Sequence, residues 1–324
     1  MVTKESAGYA LIDSGDSEKL ERFGDVVLSR PDPQALWRRR LDEQEWKKAV
    51  GYFSRSAKEG KWVMKKDETA SSEKALEKKW AIDFSGLKFW IKPTAFKHTG
   101  LFPEQSTNWD WLRGKIGEKV ASSAASAHVN AGAMPAEPIE VLNLFGYTGG
   151  ATLACAQAGA HVVHVDSSKS AITWARENAE LSGLAAKPVR WILEDARVFV
   201  EREIKRGRKY DGIIMDPPAF GHGLDKEIWK IEEHFLPLVE SCIQLLKDQP
   251  LFFLVNGYSA GYSAIAYENI LRPLVEKSGG QIEIGELTIE ESGVGSTASD
   301  SAGPHAQTGR LLPAGIFARW SAKK

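Results

Sequence analysis

The residues with the clearest capacity for chemistry form a five-residue stretch, Asp-Pro-Pro-Ala-Phe, at positions 216–220. It follows an apolar run of strand type directly. An aspartate there can accept a proton or a hydrogen bond, and the prolines, which fix φ and lack an N–H, make the turn stiff. An aromatic ring can stack on a flat ligand. We therefore expect Asp216, Pro217 and Phe220 to form a rigid lip at the end of a strand.

An earlier strand-like run, VLNLF, leads into the turn GYTGG at 146–150. The dinucleotide fingerprint Gly-x-Gly-x-x-Gly is not met, because only positions 146, 149 and 150 are glycine. A short glycine-bearing turn of this kind suits an amino-acid tail, although an ordinary tight turn is the alternative. The candidate residues around the tail are Asn143, Phe145, Gly146 and Thr148.

Acidic residues end the next two strand-like runs. Asp166, followed by Ser167, lies twenty residues after Gly146 and can accept hydrogen bonds from both hydroxyls of a ribose. Asp195 can accept from the exocyclic amine of adenine while the Ala196 amide donates to a ring nitrogen. Each aspartate alone could instead cap a helix. Capping does not easily explain suitable residues at three consecutive strand ends.

All these residues lie at strand ends in a pattern of alternating strands and helices that begins near residue 139. Such alternation predicts a parallel sheet with helices on both faces, and right-handed crossovers make it doubly wound. The predicted fold class is α/β, Rossmann-like, with a seven-stranded mostly parallel sheet and a small β-rich N-terminal domain. Strands are expected at 139–145, 161–166, 189–193, 210–215, 250–256, 281–289 and 312–320. A long helix is expected at 226–247, kinked at Pro237.

The N-terminal part of the chain does not alternate in this way. We expect residues 1–104 to form the small β-rich domain and residues 105–324 the catalytic domain. Segment 34–66 holds ten basic and four acidic residues with five aromatic residues interleaved. Its basic side chains are predicted to bind RNA phosphates while its aromatic rings stack on unpaired bases. The alternative is an amphipathic helix on the protein surface. Two segments rich in small residues, 120–138 and 292–310, are expected to be a loose connection and a mobile loop.

Several classes of protein are disfavoured. Cys155 and Cys242 lie far apart, which fits neither a disulfide framework nor a metal site, so no metal is expected. The N-terminus lacks an apolar signal region, and no apolar run approaches the roughly 18–20 residues of a membrane helix. The net charge of −1 gives no global basic field. A cytoplasmic location without a membrane partner is the default expectation, and the oligomeric state stays open.

Together, an amino-acid tail, a ribose and an adenine describe S-adenosylmethionine. The stretches VLNLFGYTGGAT, HVDSSKSAITWARENAELSGL, LEDARVFV and IIMDPPAF resemble the successive motifs of class I S-adenosylmethionine-dependent methyltransferases. More narrowly, they resemble the branch that modifies large-subunit ribosomal RNA. LKFWIKPTAFKHTGLFPEQ (87–105) is similar to the Lys-Thr-Gly-x-Phe-x-Asp-Gln segment of that branch, with His98 and Glu104 as departures. The resemblance covers about residues 80–320.

This resemblance implies an enzyme that methylates a nucleobase of RNA, with ribosomal RNA as its partner and S-adenosylmethionine as its cofactor. In the family, segment 87–105 lies over the cofactor, so Phe102 and Gln105 become candidate contacts. The resemblance implies that Asp216 contacts the cofactor and also takes part in catalysis at the acceptor base. A protein or small-molecule methyltransferase, and a catalytically silent RNA-binding protein of the same fold, remain alternatives.

The residue after the fifth strand bears on which atom is methylated. Methylation of cytosine at carbon 5 requires a cysteine thiolate there. This chain has Asn256 at that position, so a nitrogen nucleophile, such as guanine N7 or an exocyclic amine, is favoured. Asn256 and Tyr258 are expected to bond the base edge, or else Asn256 satisfies buried backbone groups.

Overall fold

The structure, a computed structural model, describes residues 1–55, 60–64, 79–95, 97–129, 137–222, 228–258, 261–292 and 309–323. It divides into a first unit, Met1–Ser106 with Leu287–Ala314, and a second unit, Thr107–Glu286 with Gly315–Lys324. The division predicted from the sequence, 1–104 and 105–324, stays a prediction. Most of segment 292–310 lies outside the described residues.

The described part of the first unit consists of short strands, the helical turn α1 (Glu43–Trp46) and a 3₁₀ helix, Pro103–Gln105. Strands β2 to β6 form one sheet in chain order, in which β4 and β5 are parallel. Strands β7 and β8 form a separate antiparallel hairpin. That hairpin turns at Ser85 and Gly86, which both have positive φ, as tight two-residue turns require. The strands are β1 (Val2–Thr3), β2 (Tyr9–Gly15), β3 (Glu18–Phe23), β4 (Val26–Pro31), β5 (Gly51–Arg55), β6 (Gly60–Met64), β7 (Trp80–Phe84) and β8 (Leu87–Ile91).

The basic aromatic segment lies in this first unit, and part of the expectation about it is wrong. Trp46 and Phe53 are each only 6% exposed, and the Trp46 indole N–H donates to Oδ2 of Asp13. These two rings belong to the core of the unit and are not available to stack on bases. Tyr52 is 43% exposed, so its ring is accessible for stacking on a base. Residues 56–59 and 65–66 of the segment lie outside the described residues.

The second unit contains the predicted α/β sheet. Its helices are α2 (Ser106–Val129), α3 (Gly150–Gln157), α4 (Lys169–Leu181), α5 (Ala196–Lys205), α6 (Ile231–Gln244) and α7 (Ala264–Ser278). Its strands are β9 (Glu140–Leu144), β10 (His161–Asp166), β11 (Val189–Leu193), β12 (Gly212–Met215), β13 (Phe220–His222), β14 (Ile228–Lys230), β15 (Phe252–Gly257), β16 (Gln281–Glu290) and β17 (Leu311–Ser321).

Eight strands hydrogen-bond in the order β1-β16-β17-β15-β12-β9-β10-β11. Seven of them correspond to the predicted sheet, and the eighth is the two-residue β1, which pairs with Thr288 and Ile289. The boundary between the two units runs through β16 and β17. The pairs β11-β10, β10-β9, β9-β12 and β12-β15 are parallel, and β17 is antiparallel to β15. The predicted α/β fold class is therefore confirmed.

Burial explains why the central strands read as continuous apolar runs. Every residue of β12 and β15 is buried, because helices cover both faces of a parallel sheet. Parallel strands place all their carboxyl ends at one edge. The loops after β9, β10, β11, β12 and β15 therefore leave the same edge of the sheet.

Two expectations about the second unit need correction. Residues 120–129 continue α2 and are not a loose connection, since alanine-rich sequence favours a helix. Residues 228–230 form strand β14, so the predicted long helix begins only at Ile231. Pro237 lies inside α6 as expected. Within the described residues, no helix combines the length and apolar character needed to cross a membrane.

Candidate active site

A cleft lies at the carboxyl edge of the second unit's sheet. It is an open cleft with about 360 Å³ of space between its walls, open solvent included. The residues that line it come mainly from the loops after β9, β10, β11 and β12. They are Phe145, Val165, Asp166, Ser167, Glu194, Asp195, Ala196, Pro218, Gly221 and Trp229. Five of the predicted cofactor residues thus meet in one place. Asn143, Gly146, Thr148 and Asp216 lie at the same edge but outside this lining.

The loop after β9 has a strained backbone. Phe145 and Tyr147 adopt positive φ values of 57° and 47°, which non-glycine residues rarely do and which cluster at ligand sites. The Gly146 N–H donates to the Val165 carbonyl at 3.1 Å, tying the loop to β10. A Cβ at Gly146 would lie 2.4 Å from the ring of His164. Glycine is required at position 146 by the histidine beneath it, which the sequence alone does not reveal.

A buried polar chain supports this loop from below. Asn143 donates from Nδ2 to Thr152 Oγ1 at 2.8 Å, and the Thr152 hydroxyl and His164 Nδ1 form a second hydrogen bond, also at 2.8 Å. All three side chains are at most 3% exposed, and burial lowers the pKa of His164 to about 3. The histidine is therefore neutral. Asn143 supports the loop in this structure, and its direct contact with a cofactor stays a prediction.

Thr148 is also held by its surroundings. The residue is 4% exposed, and its carbonyl accepts a 2.9 Å hydrogen bond from Asn178 Nδ2 on α4. Asn178 itself is fully buried. This bond fixes the far end of the loop just before α3, whose N-cap Gly149 has φ 92°. A cofactor contact by Thr148 would have to come from its backbone or from the small part of the residue that remains exposed.

The carboxylate of Asp166 connects the loops after β9 and β10. Its Oδ2 accepts from the Tyr147 N–H at 2.9 Å, and its Oδ1 accepts from the Ser168 N–H at 2.8 Å. Burial raises the pKa of Asp166, and the two amides oppose that rise. A carboxylate has about four lone-pair sites, so each oxygen can accept one more hydrogen bond. The two hydroxyls of a ribose fit that remaining capacity.

Asp195 caps a helix and lines the cleft at the same time. Its side chain accepts from the backbone N–H groups of Arg197 and Val198 at the start of α5. It also forms an ion pair with the Arg197 guanidinium at 2.9 Å. Burial pushes the pKa of Asp195 up, but Arg197 and the amides outweigh it, so the pKa is lowered. The carboxylate is ionised and remains in the cleft lining, beside Ala196.

The lip after β12, residues 216–220, is held in place by hydrogen bonds as well as by its two prolines. The Trp229 indole N–H donates to the Pro218 carbonyl at 2.6 Å, and Phe220 pairs with Lys230 in the β13-β14 ribbon. The Trp229 ring, 4% exposed, packs 5.0 Å from the Phe145 ring. Trp229 therefore joins the lip to the loop after β9. The sequence does not indicate this role of Trp229, because KEIWKIEEHF has the spacing of a continuous helix.

The acceptor-side candidates differ in exposure. Phe220 is 54% exposed and Tyr258 is 51% exposed, both unusual for large aromatic residues. Asp216 is partly buried, and burial raises the pKa of its carboxyl to about 6. Pro217, beside it, is buried. The lip thus places an aspartate of raised proton affinity near an exposed ring.

Asn256 is only 4% exposed, and its Oδ1 accepts from Asn108 Nδ2 at 2.8 Å. The partner is a buried side chain and not a backbone group, so this contact bears out neither expectation for Asn256, and a bond from Asn256 to a base edge stays a prediction. Cys155 and Cys242 are fully buried, and burial raises the pKa of both thiols well above the ordinary value. Neither thiol is suited to act as a nucleophile.

Phe102 and Gln105 belong to the first unit. Phe102 precedes a short 3₁₀ helix, Pro103–Gln105, and its ring packs 5.3 Å from the ring of His98. Both residues are partly exposed, whereas Glu104 between them is buried and burial raises its pKa to about 7. Their contact with a cofactor stays a prediction from the family resemblance.

Comparisons with known proteins agree with this geometry. A family described as "Conserved hypothetical protein 95" matches residues 124–245. The chain is 27% identical over 251 residues to Ribosomal RNA large subunit methyltransferase K of Neisseria meningitidis, covering 75% of this chain and 64% of that protein. It is 42% identical over 81 residues to Ribosomal RNA large subunit methyltransferase I of Aeromonas salmonicida, covering 25% and 20% respectively. The chain thus spans less than two thirds of the length of these curated relatives.

A solved structure matches over nearly the whole length of both chains. It is the SAM-dependent methyltransferase from Agrobacterium tumefaciens, with 36% identity, a TM-score of 0.83, and coverage of 100% of this chain and 94% of that one. By this likeness, the chain belongs to the S-adenosylmethionine-dependent methyltransferases.

Proposed function

We propose that this enzyme methylates an unpaired nucleobase of RNA, most specifically of ribosomal RNA, at a nitrogen atom. The observation that carries the proposal is the lip after β12, where Asp216, with a pKa raised to about 6, precedes a ring that is 54% exposed. The names of the curated relatives, ribosomal RNA large subunit methyltransferases K and I, support the choice of RNA.

The cleft residues divide the work of holding the cofactor. Asp166 would bind the ribose through its remaining lone pairs, and Asp195 with Ala196 would hold the adenine. The backbone of the loop around Phe145 and Gly146 would hold the amino-acid tail. Phe102 and Gln105 are proposed as further contacts from the family resemblance. When bound, S-adenosylmethionine supplies an electrophilic methyl group on a positively charged sulfur.

The chain's own residues would then prepare the acceptor. Phe220 would stack on the extruded base, which is worth about 1–3 kcal/mol per base in single-strand binders. The nitrogen lone pair forms the new N–C bond as the C–S bond breaks, and S-adenosylhomocysteine leaves. Asp216 would orient an exocyclic amine before transfer and accept its proton afterwards. Positioning of this kind can supply about 7–11 kcal/mol of rate enhancement in favourable cases.

A nitrogen acceptor fits the structure better than carbon 5 of cytosine. The carbon reaction needs a cysteine thiolate that adds to the base. Asn256 stands where that cysteine would be, and both cysteines are fully buried with raised thiol pKa values. A direct attack by a base nitrogen needs no such nucleophile.

The test is methyl transfer from radiolabelled S-adenosylmethionine to two separate pools, total RNA and total protein, from cells lacking this enzyme. We expect label in RNA, recovered as an N-methylated base after digestion and mass analysis. The Asp216→Asn variant serves as the matched control and should label RNA about 10²–10⁴-fold more slowly. Label in the protein pool, or a 5-methylcytosine product, would contradict the proposal.

A further inference from the structure

Arg197, the second residue of α5, binds the Asp195 carboxylate with two of its nitrogens. Its Nε donates to Oδ1 at 3.1 Å, and its Nη2 donates to Oδ2 at 2.9 Å. Such a two-point contact fixes the plane of a carboxylate as well as its position, which a single hydrogen bond does not. The backbone N–H groups that Asp195 caps bind only Oδ1, so the guanidinium is what fixes Oδ2.

The two oxygens of Asp195 differ in the hydrogen-bonding capacity that they have left. Within the described residues, Oδ1 accepts three bonds, from the Arg197 N–H at 2.8 Å, the Val198 N–H at 3.4 Å and Arg197 Nε. Oδ2 accepts one, from Arg197 Nη2. A carboxylate has about two lone-pair sites on each oxygen, so Oδ1 is full and Oδ2 can accept one more donor. Because Asp195 lines the cleft, a ligand bound there can supply that donor.

The Arg197 guanidinium is itself held by the β13-β14 ribbon. Its Nη1 donates to the Ile228 carbonyl at 3.3 Å, and its central carbon lies 5.9 Å from the centre of the Trp229 ring. The Arg197 side chain is only 23% exposed. It therefore has partners on two sides, the aspartate at the start of its own helix and the ribbon, and it has little freedom to release the carboxylate.

We propose that Arg197 is a positioning residue for recognition of the adenine base: its guanidinium occupies the Asp195 carboxylate so that one acceptor site, on Oδ2, is left for the exocyclic amine. A base with a carbonyl oxygen in place of that amine, such as hypoxanthine, would set one acceptor against another and bind weakly. This inference rests on the adenine site proposed above. Arg197 is not among the residues that the motifs or the cleft lining single out.

The test compares two ligands that differ at one position of the base. Calorimetry measures the affinity of the full chain for S-adenosylhomocysteine and for S-inosylhomocysteine, which carries a carbonyl group in place of the amine. We expect the wild type to bind the adenine compound about 10- to 100-fold more tightly, because the inosine compound cannot donate to the charged carboxylate. Arg197→Met keeps a long side chain without the guanidinium, so the carboxylate can turn, and this ratio of affinities should fall about tenfold.

A second variant, Arg197→Lys, separates the charge from the two-point contact. Lysine keeps the positive charge but has one nitrogen in place of the planar fork. We expect its ratio of affinities to fall as far as in Arg197→Met, and a wild-type ratio in Arg197→Lys would overturn the inference. Arg206→Met is the matched control, since Arg206 lies at the other end of α5 and pairs with Glu203 at 2.9 Å. That control should leave the ratio unchanged.

The proposals fail in different ways. If the wild-type enzyme methylates no RNA, the proposed function is wrong, yet the ratio of affinities still decides the role of Arg197. If the wild type binds the two compounds equally, the adenine site at Asp195 and this inference are both rejected. If the wild type discriminates and Arg197→Met discriminates equally well, the adenine site stands and only the inference is rejected.

Discussion

The indole nitrogen of Trp229 donates a 2.6 Å hydrogen bond to the carbonyl oxygen of Pro218. Proline supplies no N–H of its own, so a turn with two prolines depends on donors from elsewhere to fix its carbonyls. The same indole packs against Phe145, in the loop after β9. One side chain thus couples the proposed acceptor lip to the proposed cofactor loop.

Replacing Trp229 with phenylalanine should therefore weaken cofactor binding and slow methyl transfer. The lost hydrogen bond should also lower the free energy of unfolding by about 1–2 kcal/mol. Isothermal calorimetry with S-adenosylmethionine and urea unfolding measure the two effects. Trp320→Phe is the control, because Trp320 is fully buried and donates to the Gly279 carbonyl at 2.8 Å. Equal losses of cofactor affinity in both variants would refute the coupling.

The Asp166→Ala change should weaken cofactor binding by about 1.5–3 kcal/mol, since a charged acceptor for two hydroxyls is lost. Asp211→Ala is the control: Asp211 is a buried aspartate that accepts from the Glu140 N–H and pairs with Lys247. It should lower stability without changing affinity. Calorimetry on both variants checks this, and normal affinity in Asp166→Ala would mean that the ribose lies elsewhere.

Asp216 predicts the pH dependence of the reaction. Its pKa is raised to about 6, so the ionised form that accepts a proton is lost as the pH falls through about 6. We expect kcat/KM to rise up to that pH and to level off above it. Asp216→Asn should reduce kcat by about 10²–10⁴-fold while retaining most of the cofactor affinity. Near-normal turnover in this variant would remove the proposed role.

His164 predicts how stability depends on pH. Burial lowers its pKa from 6.5 to about 3, so below pH 6.5 the unfolded chain binds a proton that the folded chain does not. Its contribution should therefore make the unfolding free energy fall by up to about 1.4 kcal/mol per pH unit as the pH drops. His164→Asn keeps a side chain that can hydrogen-bond Thr152 but cannot titrate. Urea unfolding between pH 7.5 and 5 should show a flatter dependence in that variant, and parallel curves would contradict the assignment.

The sheet and the edge that holds the site could be predicted from local sequence. Asp166, Asp195 and Asp216 lie at or just after the ends of three strand-like runs, and the parallel topology brings those ends together. The capping role of Asp195 was the open alternative, and the structure shows that one carboxylate both caps α5 and lines the cleft.

What the sequence could not show depends on long-range packing. His164 reads as one more residue of a buried strand, and only the folded chain shows it beneath Gly146. Trp229 reads as helical because its neighbours have helical spacing, whereas the β13-β14 ribbon turns it onto Pro218.

The most direct measurement is a crystal structure of the protein with S-adenosylhomocysteine. We expect the ribose hydroxyls on the Asp166 carboxylate, the adenine beside Asp195 and Ala196, and the sulfur directed toward the lip that begins at Asp216. A ligand bound away from the carboxyl edge of the sheet, or one that leaves Asp166 and Asp195 without contact, would contradict this assignment of the active site.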